Sequence, residues 1–457
     1  MENGIRWINL HKDGGAINPR NQIYQNLNYF LPKDLFFIDK LQNYCLVYSP
    51  LVMRLYIIPE DCFISLTPIS FKKKYLEALI QSSVLLPEQL KNIYLPKECE
   101  SFHPRNIRLL VTSKCNLSCV YCYASAGSKG RTIDLKKVRL LFAGLPEGLN
   151  PDIELHGNGE PTLAIKEIKE IVKIIRNKYK DAVITIQSNG LFPEKTAKWF
   201  VQNNIGVGFS IDGPEFIHNQ HRPAGKIKNP YQKLLKNIEY LHSQGNGVFA
   251  YVVVSAFSFP YLTQIYEHLK TLGFRYLKIN PLQNIGRAAT NIIPAAKAPD
   301  LFEFAGQLAE LQIKAVQDNI LLDSDFVPAF QQKKASPYRC NGCMSQLVMD
   351  WDGKILACSE AHDLAEPPIN PFYFGEVNNT GLQLDEAKSA NLRNRTSENI
   401  KECVDCLLKW HCSGSCMVEN YLNNQDIYLP CAENCQARRH YAISYMKQLA
   451  SDYLNKL

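Results

Sequence analysis

At 457 residues, 46% apolar and 21% charged, the chain is longer than one ordinary hydrophobic core organises, and two or three domains are expected. Its formal charge of +7 is mild and spread along the chain, which argues against a nucleic-acid face. No stretch approaches the roughly eighteen apolar residues that span a bilayer, and the N-terminus lacks an apolar signal core, so a cytoplasmic protein without membrane or nucleic-acid partners is expected.

Residues 1–103 hold no clustered cysteine. Residues 44–58 read as two short strands around a Ser-Pro turn, followed by helical spacing over 72–82 and a Leu-Leu-Pro stretch. This describes a small α+β domain or cap. Of the fifteen cysteines, Cys45, Cys62 and Cys99 stand apart and read as ordinary semi-buried thiols. The other twelve fall in three tight groups, a distribution that metal clusters explain better than disulfides.

The first group lies in residues 111–123, VTSKCNLSCVYCY, where Cys115, Cys119 and Cys122 take a C-x3-C-x2-C spacing after an apolar run. Three thiolates so close can hold three irons of a 4Fe-4S cube and leave the fourth open to a small chelating molecule. A zinc site or buried thiols is the plainer alternative. From residue 105 the chain alternates strand and helix six times. Strands are expected at 107–112, 153–156, 183–187, 207–211, 249–254 and 276–280, with helices near 134–143, 165–179, 194–203, 230–244 and 259–272. Such alternation predicts right-handed crossovers, a parallel sheet and a partial (β/α)6 barrel whose site lies beyond the carboxyl ends of its strands.

Special residues follow those strands: His156-Gly157-Asn158-Gly159-Glu160-Pro161 after the second, Gln187-Ser188-Asn189-Gly190 at the third, and Ser210-Ile211-Asp212-Gly213-Pro214 with His218 and Arg222 after the fourth. An amphipathic helix over 299–319 reads as leaving the barrel. Cysteines then resume as Cys340, Cys343 and Cys358, with an Asp-Gly hairpin between the last two, and continue as Cys403, Cys406, Cys412, Cys416, Cys431 and Cys435. A zinc ribbon uses four thiols, and this many without a zinc-type His pair favours two iron-sulfur clusters.

The cysteine triplet, with Tyr121 before its third member, resembles the radical SAM signature. The loop from Gly157 to Pro161 is similar to that family's G-G-E-P motif, Ser188-Asn189-Gly190 to its T-N-G, and Ser210 to Arg222 to S-x-D-G-P followed by H-x-x-x-R. The later cysteines resemble the SPASM domain. Together the resemblance spans roughly residues 105–440. It implies S-adenosylmethionine on the open iron, in contact with Tyr121, Gly157, Gly159, Glu160, Ser188, Asn189, Ser210 and Arg222. Glu160 would receive its amino group, Ser210 reach the ribose, and Arg222 lie near the carboxylate. It also implies two auxiliary 4Fe-4S clusters, the first on Cys340, Cys343, Cys358 and Cys416, the second on Cys403, Cys406, Cys412 and either Cys435, which is favoured, or Cys431.

The implied organisation is an N-terminal domain at 1–103, similar to the winged-helix modules that recognise leader peptides, a barrel at 104–298, a helical linker at 299–336, the SPASM domain at 337–440 and a C-terminal helix at 441–457. The implied activity is reductive cleavage of S-adenosylmethionine to a 5′-deoxyadenosyl radical. That radical takes a hydrogen atom from a ribosomally made precursor peptide, leading to a crosslink or backbone modification. Flavodoxin or ferredoxin would supply the electron, and a separate leader-recognition protein is a further candidate partner. Sulfatase maturases of the family carry an Asp as proposed base directly after the cysteine matching Cys358. Ser359 stands there, which counts against sulfatase maturation and leaves a sulfatase-type protein maturase as the alternative; Glu360, His362 and Asp363 follow, any of which could accept the proton, with Glu360 the candidate base. A non-catalytic iron-sulfur electron carrier is the third reading.

Overall fold

The computed structural model describes residues 5–10, 29–30, 35–87, 101–127, 129–290, 292–327, 330, 335–364 and 369–456. Cys99 and residues 88–90 of the Leu-Leu-Pro stretch lie outside them.

The barrel is built on six parallel strands, Asn106–Leu110, Asp152–His156, Val183–Ser188, Ile205–Ser210, Val248–Val254 and Tyr276–Pro281. Parallel strands covered by helices on both faces read as continuous apolar runs; these alternate. Ile107, Leu109, Ile153, Leu155, Ile184, Ile186, Val207, Phe209, Leu277 and Ile279 are fully buried toward the surrounding helices. The intervening positions, among them Arg108, His156, Gln187, Tyr251 and Lys278, line an internal cavity. The barrel is therefore sealed by its helix-facing half and polar within.

The helices present matching apolar stripes. Ile168, Ile171, Val172 and Ile175 form the buried face of Ile165–Lys178, at the i, i+3, i+4, i+7 spacing of a surface helix. Asp134 caps Leu135–Gly144 by accepting from the Lys136 amide.

Two expectations need correction. The 299–336 segment is not a linker leaving the barrel. Its helix, Leu301–Gln317, is capped by Asp300 and buries Phe304, Ala305 and Leu308, and Asp318 at its end accepts from Tyr266 and Lys270 of the last barrel helix. The chain then adds Leu321–Asp323 as a seventh parallel strand beside Tyr276–Pro281. Nor does the C-terminal helix start at 441: it runs Ala432–Leu454 and packs along Leu301–Gln317.

On the opposite side, Gln346–Met349 pairs in parallel with Asn106–Leu110 and turns through Asp352-Gly353 into Lys354–Leu356. Gly353 has φ +84°, as the turn requires. Tyr373–Asn378 and Gly381–Leu384 complete an eleven-stranded sheet shared by barrel and cysteine-rich region.

The N-terminal part is a four-stranded antiparallel sheet in the order Arg6–Asn9, Arg54–Pro59, Tyr44–Ser49, Phe36–Leu41, with a hairpin, Phe63–Leu66 and Ile69–Phe71, and the short helix Leu76–Gln81. One face, with Cys45, Val47, Tyr56 and Ile58, forms a core that includes Cys62 and Leu79. The other face, with Leu46, Tyr48, Leu55 and Ile57, joins the main core. Cys45 and Cys62 are fully buried rather than semi-buried.

Candidate active site

The cysteine loop leaves the first barrel strand and is pinned on several sides. The Cys115 amide donates to Gly127 O at 2.7 Å, Ser118 to Pro223 O at 2.9 Å, and Val120 to His221 O at 2.9 Å. Amides also reach the sulfurs, Leu117 N to Cys115 Sγ at 3.5 Å and Ala126 N to Cys122 Sγ at 3.4 Å. Such bonds stabilise thiolates and tune a cluster they carry. Burial pushes the Cys115 thiol up to about 11 and Cys119 up to about 12, so these sulfurs are costly to ionise without a cation beside them. Three thiols on one loop, with amide donors and an adjoining cavity, fit a cluster with one open iron.

The Gly157–Glu160 turn packs onto this loop. A Cβ on Gly159 would stand 2.1 Å from Lys114 O, and one on Gly157 would stand 2.8 Å from Thr112 O. Both glycines border the cavity, but the close approach that excludes a side chain is to the cysteine loop's own backbone. Glu160 is 2% exposed. Its Oε1 accepts from Thr162 N at 3.0 Å, Thr162 Oγ1 at 2.6 Å and Ser188 Oγ at 2.8 Å, and Oε2 from Asn189 N at 2.7 Å. Burial raises its carboxyl although those donors pull the other way. Oε2 retains a lone-pair direction for an ammonium donor. Ser188 and Asn189 line the cavity and also brace Glu160, and the Asn189 side chain ties to Asn116 Oδ1 and the Leu191 amide.

Opposite stand Ser210 and Arg222. Arg222 Nε and Nη2 donate to the two oxygens of fully buried Asp212, at 2.8 and 3.1 Å, leaving Nη1 for a carboxylate in the cavity. Tyr121 donates its hydroxyl to the same Asp212, and its ring lies 5.4 Å from the Arg222 guanidinium. His221 Nδ1 is 3.2 Å from Asp212 Oδ2. Every predicted cofactor contact lines one cavity of about 280 Å³ together with the three cysteines.

The sequence reading missed three features. Asp212 was seen only as part of a turn motif, yet it orients Tyr121, His221 and Arg222. Arg287, after the sixth strand, clamps the cysteine loop by donating to Cys119 O at 2.5 Å and Ala126 O at 2.6 Å. Asn158 is 4% exposed and lines the cavity; its Oδ1 accepts from Tyr123, while Nδ2 has no partner.

At the far wall, the segment after Cys358 enters the same cavity. Ser359 Oγ accepts from Arg108 Nη1 at 2.6 Å, and Arg108 also donates to Glu154. Glu360 borders the cavity. Burial and Asp325 raise its carboxyl to about 7 against the pull of Arg108 and Lys278. Lys278 Nζ lies 2.8 Å from Asp325 Oδ1, a residue delivered by the unexpected seventh strand. His156, held neutral by burial that lowers it to about 4, places Nε2 3.1 Å from Gln187 Oε1.

Electrostatic neighbours link Cys340, Cys343, Cys358 and Cys416, and separately Cys403, Cys406, Cys412 and Cys435. Cys343 is raised by its hydrogen bond with Cys340, and Cys358 by burial and by neighbours that include Cys416 and Cys340. In the second group, burial and then Cys412, Cys406 and Cys435 push Cys403 up to about 12. Burial and then Cys412 lift Cys435 to about 11. Cys431 sits at the N-cap of the C-terminal helix and accepts from the Cys435 amide at 3.0 Å.

Residues 109–270 match the Radical SAM superfamily. The chain is 24% identical over 348 residues to the serine-type anaerobic sulfatase-maturating enzyme of Klebsiella aerogenes, covering 72% of this chain and 84% of the relative. Among solved structures it is similar to native anSMEcpe with bound AdoMet and Cp18Cys peptide, with a TM-score of 0.57 at 19% identity, covering 77% of this chain and 99% of the other. It is also similar to Streptococcus suis SuiB bound to precursor peptide SuiA, with a TM-score of 0.56 at 14% identity, covering 90% and 100%. The chain belongs to the radical SAM superfamily. It is a radical SAM enzyme of the maturase kind, a group that spans sulfatase maturases and peptide modifiers, and S-adenosylmethionine is bound in its homologues, which implies a 4Fe-4S cluster. Among the described residues no helix is long and apolar enough to cross a membrane.

Proposed function

We propose that this enzyme matures a ribosomally made precursor peptide by abstracting a hydrogen atom from one of its residues. When bound, the cluster and S-adenosylmethionine supply a 5′-deoxyadenosyl radical, and the hard chemistry is theirs. The chain's own residues position. Glu160 accepts the cofactor's ammonium group, Arg222 Nη1 its carboxylate, and Ser210 its ribose. The walls keep water from the reacting carbon.

The observation that carries the peptide reading over a sulfatase-type one is Ser359, which stands where sulfatase maturases place an Asp and is held by Arg108 at 2.6 Å. Glu360, one residue on and in the same cavity, is then the proton acceptor. We assign Cys340, Cys343, Cys358 and Cys416 to one auxiliary cluster and Cys403, Cys406, Cys412 and Cys435 to the other. Neither has an iron free for substrate; both would take the electron left when a bond forms after hydrogen abstraction. The N-terminal region, residues 1–103, is assigned to peptide recognition, with the peptide added as a strand to the edge of its sheet.

A sulfatase-type activity is the second reading, supported by the extent of the match to the Klebsiella enzyme and by Glu360 as a base displaced by one position. Mass spectrometry of products distinguishes them: a crosslinked or shortened peptide supports the first, formylglycine at a Cys or Ser the second. Glu360→Gln is expected to slow product formation while 5′-deoxyadenosine still forms, and an unchanged product rate would remove Glu360 from the chemistry.

A further inference from the structure

The turn that carries Glu160 is locked to the cysteine loop: the Gly159 amide donates to Thr112 O at 3.0 Å and the Glu160 amide to Lys114 O at 2.7 Å. This close approach leaves no room for a Cβ at Gly157 or Gly159. Of the three residues between His156 and Glu160, only Asn158 carries a side chain. Asn158 is 4% exposed and borders the cavity.

The Asn158 amide is oriented by a neighbour on the cysteine loop. Tyr123, the residue after Cys122, donates its hydroxyl to Asn158 Oδ1 at 3.1 Å, and burial keeps that phenol protonated. With Oδ1 committed as the acceptor, Nδ2 is the end left over, and among the described residues it has no partner. A buried amide donor is rarely left unpaired, because nothing repays its lost hydration. The acceptor it lacks is one that the cavity's occupant brings. Glu160, two residues on, receives the ammonium group of S-adenosylmethionine, and the cofactor's carboxylate hangs from the same carbon. An ionised acceptor makes the stronger hydrogen bond.

We propose that Asn158 is a further cofactor-binding residue, whose Nδ2 donates to the carboxylate of S-adenosylmethionine while Arg222 Nη1 approaches it from the opposite wall. Two donors fix the rotation of a carboxylate that one guanidinium contact leaves free. Tyr123 is a positioning residue, acting through Asn158. The proposal rests on the placement of the ammonium group at Glu160.

The test is equilibrium dialysis of the anaerobic, iron-reconstituted, full-length enzyme against two ligands. One is S-adenosylmethionine; the other is its decarboxylated analogue, which keeps the ammonium group. Asn158→Ala is expected to retain about twelve irons and to weaken S-adenosylmethionine about tenfold, with the analogue's affinity unmoved. Asn158→Asp keeps the acceptor for Tyr123 and replaces the donor by an oxygen; it should weaken S-adenosylmethionine at least as much and again spare the analogue. Tyr123→Phe frees the amide to rotate and should weaken S-adenosylmethionine by about threefold, again without moving the analogue, a selectivity that a packing role does not produce. An equal loss for both ligands in these variants places the contact elsewhere, and no loss for either leaves Nδ2 to water; both results overturn the proposal. If Asn158→Ala fails to hold its irons, the other two variants decide. Glu160→Gln should weaken both ligands. Unchanged binding of both in that variant overturns the placement at Glu160, a failure distinct from an idle Asn158.

Discussion

Asp212 and Arg222 form a buried bidentate pair, Nε to Oδ2 at 2.8 Å and Nη2 to Oδ1 at 3.1 Å, closed over by the Tyr121 hydroxyl. Burial alone would raise the Asp212 carboxyl, but Arg222 and then His221 hold it well below the usual carboxylate range. Asp212→Asn leaves a buried guanidinium without its counter-charge, at a cost of about 3–5 kcal/mol. It is expected to lower the melting temperature and weaken S-adenosylmethionine binding at least tenfold by equilibrium dialysis. Unchanged affinity would show that Arg222 is not held for the cofactor.

The cysteine loop depends on residues more than 160 positions away. Gly286 has φ +57°, and a Cβ there would stand 2.1 Å from Tyr123 O, while Arg287 bonds Cys119 O and Ala126 O. Gly286→Ala and Arg287→Ala are each expected to lose about four irons on reconstitution while the remaining clusters persist. Full iron content in both would separate this clamp from cluster retention.

Cys435, rather than Cys431, is the fourth ligand of the second auxiliary group in this account. Cys435→Ala should lose that cluster's resonance, and Cys431→Ala should keep it. The reverse pattern would exchange the two assignments.

His362 gives a pH dependence of known sign. Burial pulls its pKa down, but Asp350 Oδ2 at 3.3 Å and Asp363 Oδ1 at 2.5 Å outweigh it and bring it up to about 9 from 6.5. A raised folded-state pKa stabilises fully below the unfolded value and loses that stabilisation as pH rises through the folded one. His362→Asn should therefore be less stable than wild type at pH 6, by on the order of 2 kcal/mol after allowing for partial exposure. The two proteins should converge near pH 10 in denaturant titrations. A pH-independent gap would assign the loss to the ring's packing on Trp351.

The six barrel strands were legible because each carries apolar residues at alternate positions between helical stretches, and the cysteine triplet because spacing alone restricts its chemistry. What stayed hidden was set by tertiary contact. Leu321–Asp323 is three residues long, too short for a periodic signal, and only the fold turns it into a sheet edge that delivers Asp325. Asp212 reads as a turn residue until Arg222 returns to it one helix later. Ser359 and Arg108 lie 251 positions apart, and nothing local links them. The glycines of the Gly157–Glu160 turn were correctly seen as sites of close approach, but their neighbour is the cysteine loop's own backbone.

The most direct measurement is an anaerobic reaction of the iron-reconstituted enzyme with dithionite, S-adenosylmethionine and peptides encoded near its gene, following 5′-deoxyadenosine and peptide mass together. The account predicts 5′-deoxyadenosine formation in step with a mass change in one peptide, and the loss of both in Cys119→Ala. Protein that holds its three clusters, about twelve irons, yet forms no 5′-deoxyadenosine with strong reductant would contradict it and leave an electron carrier as the better description.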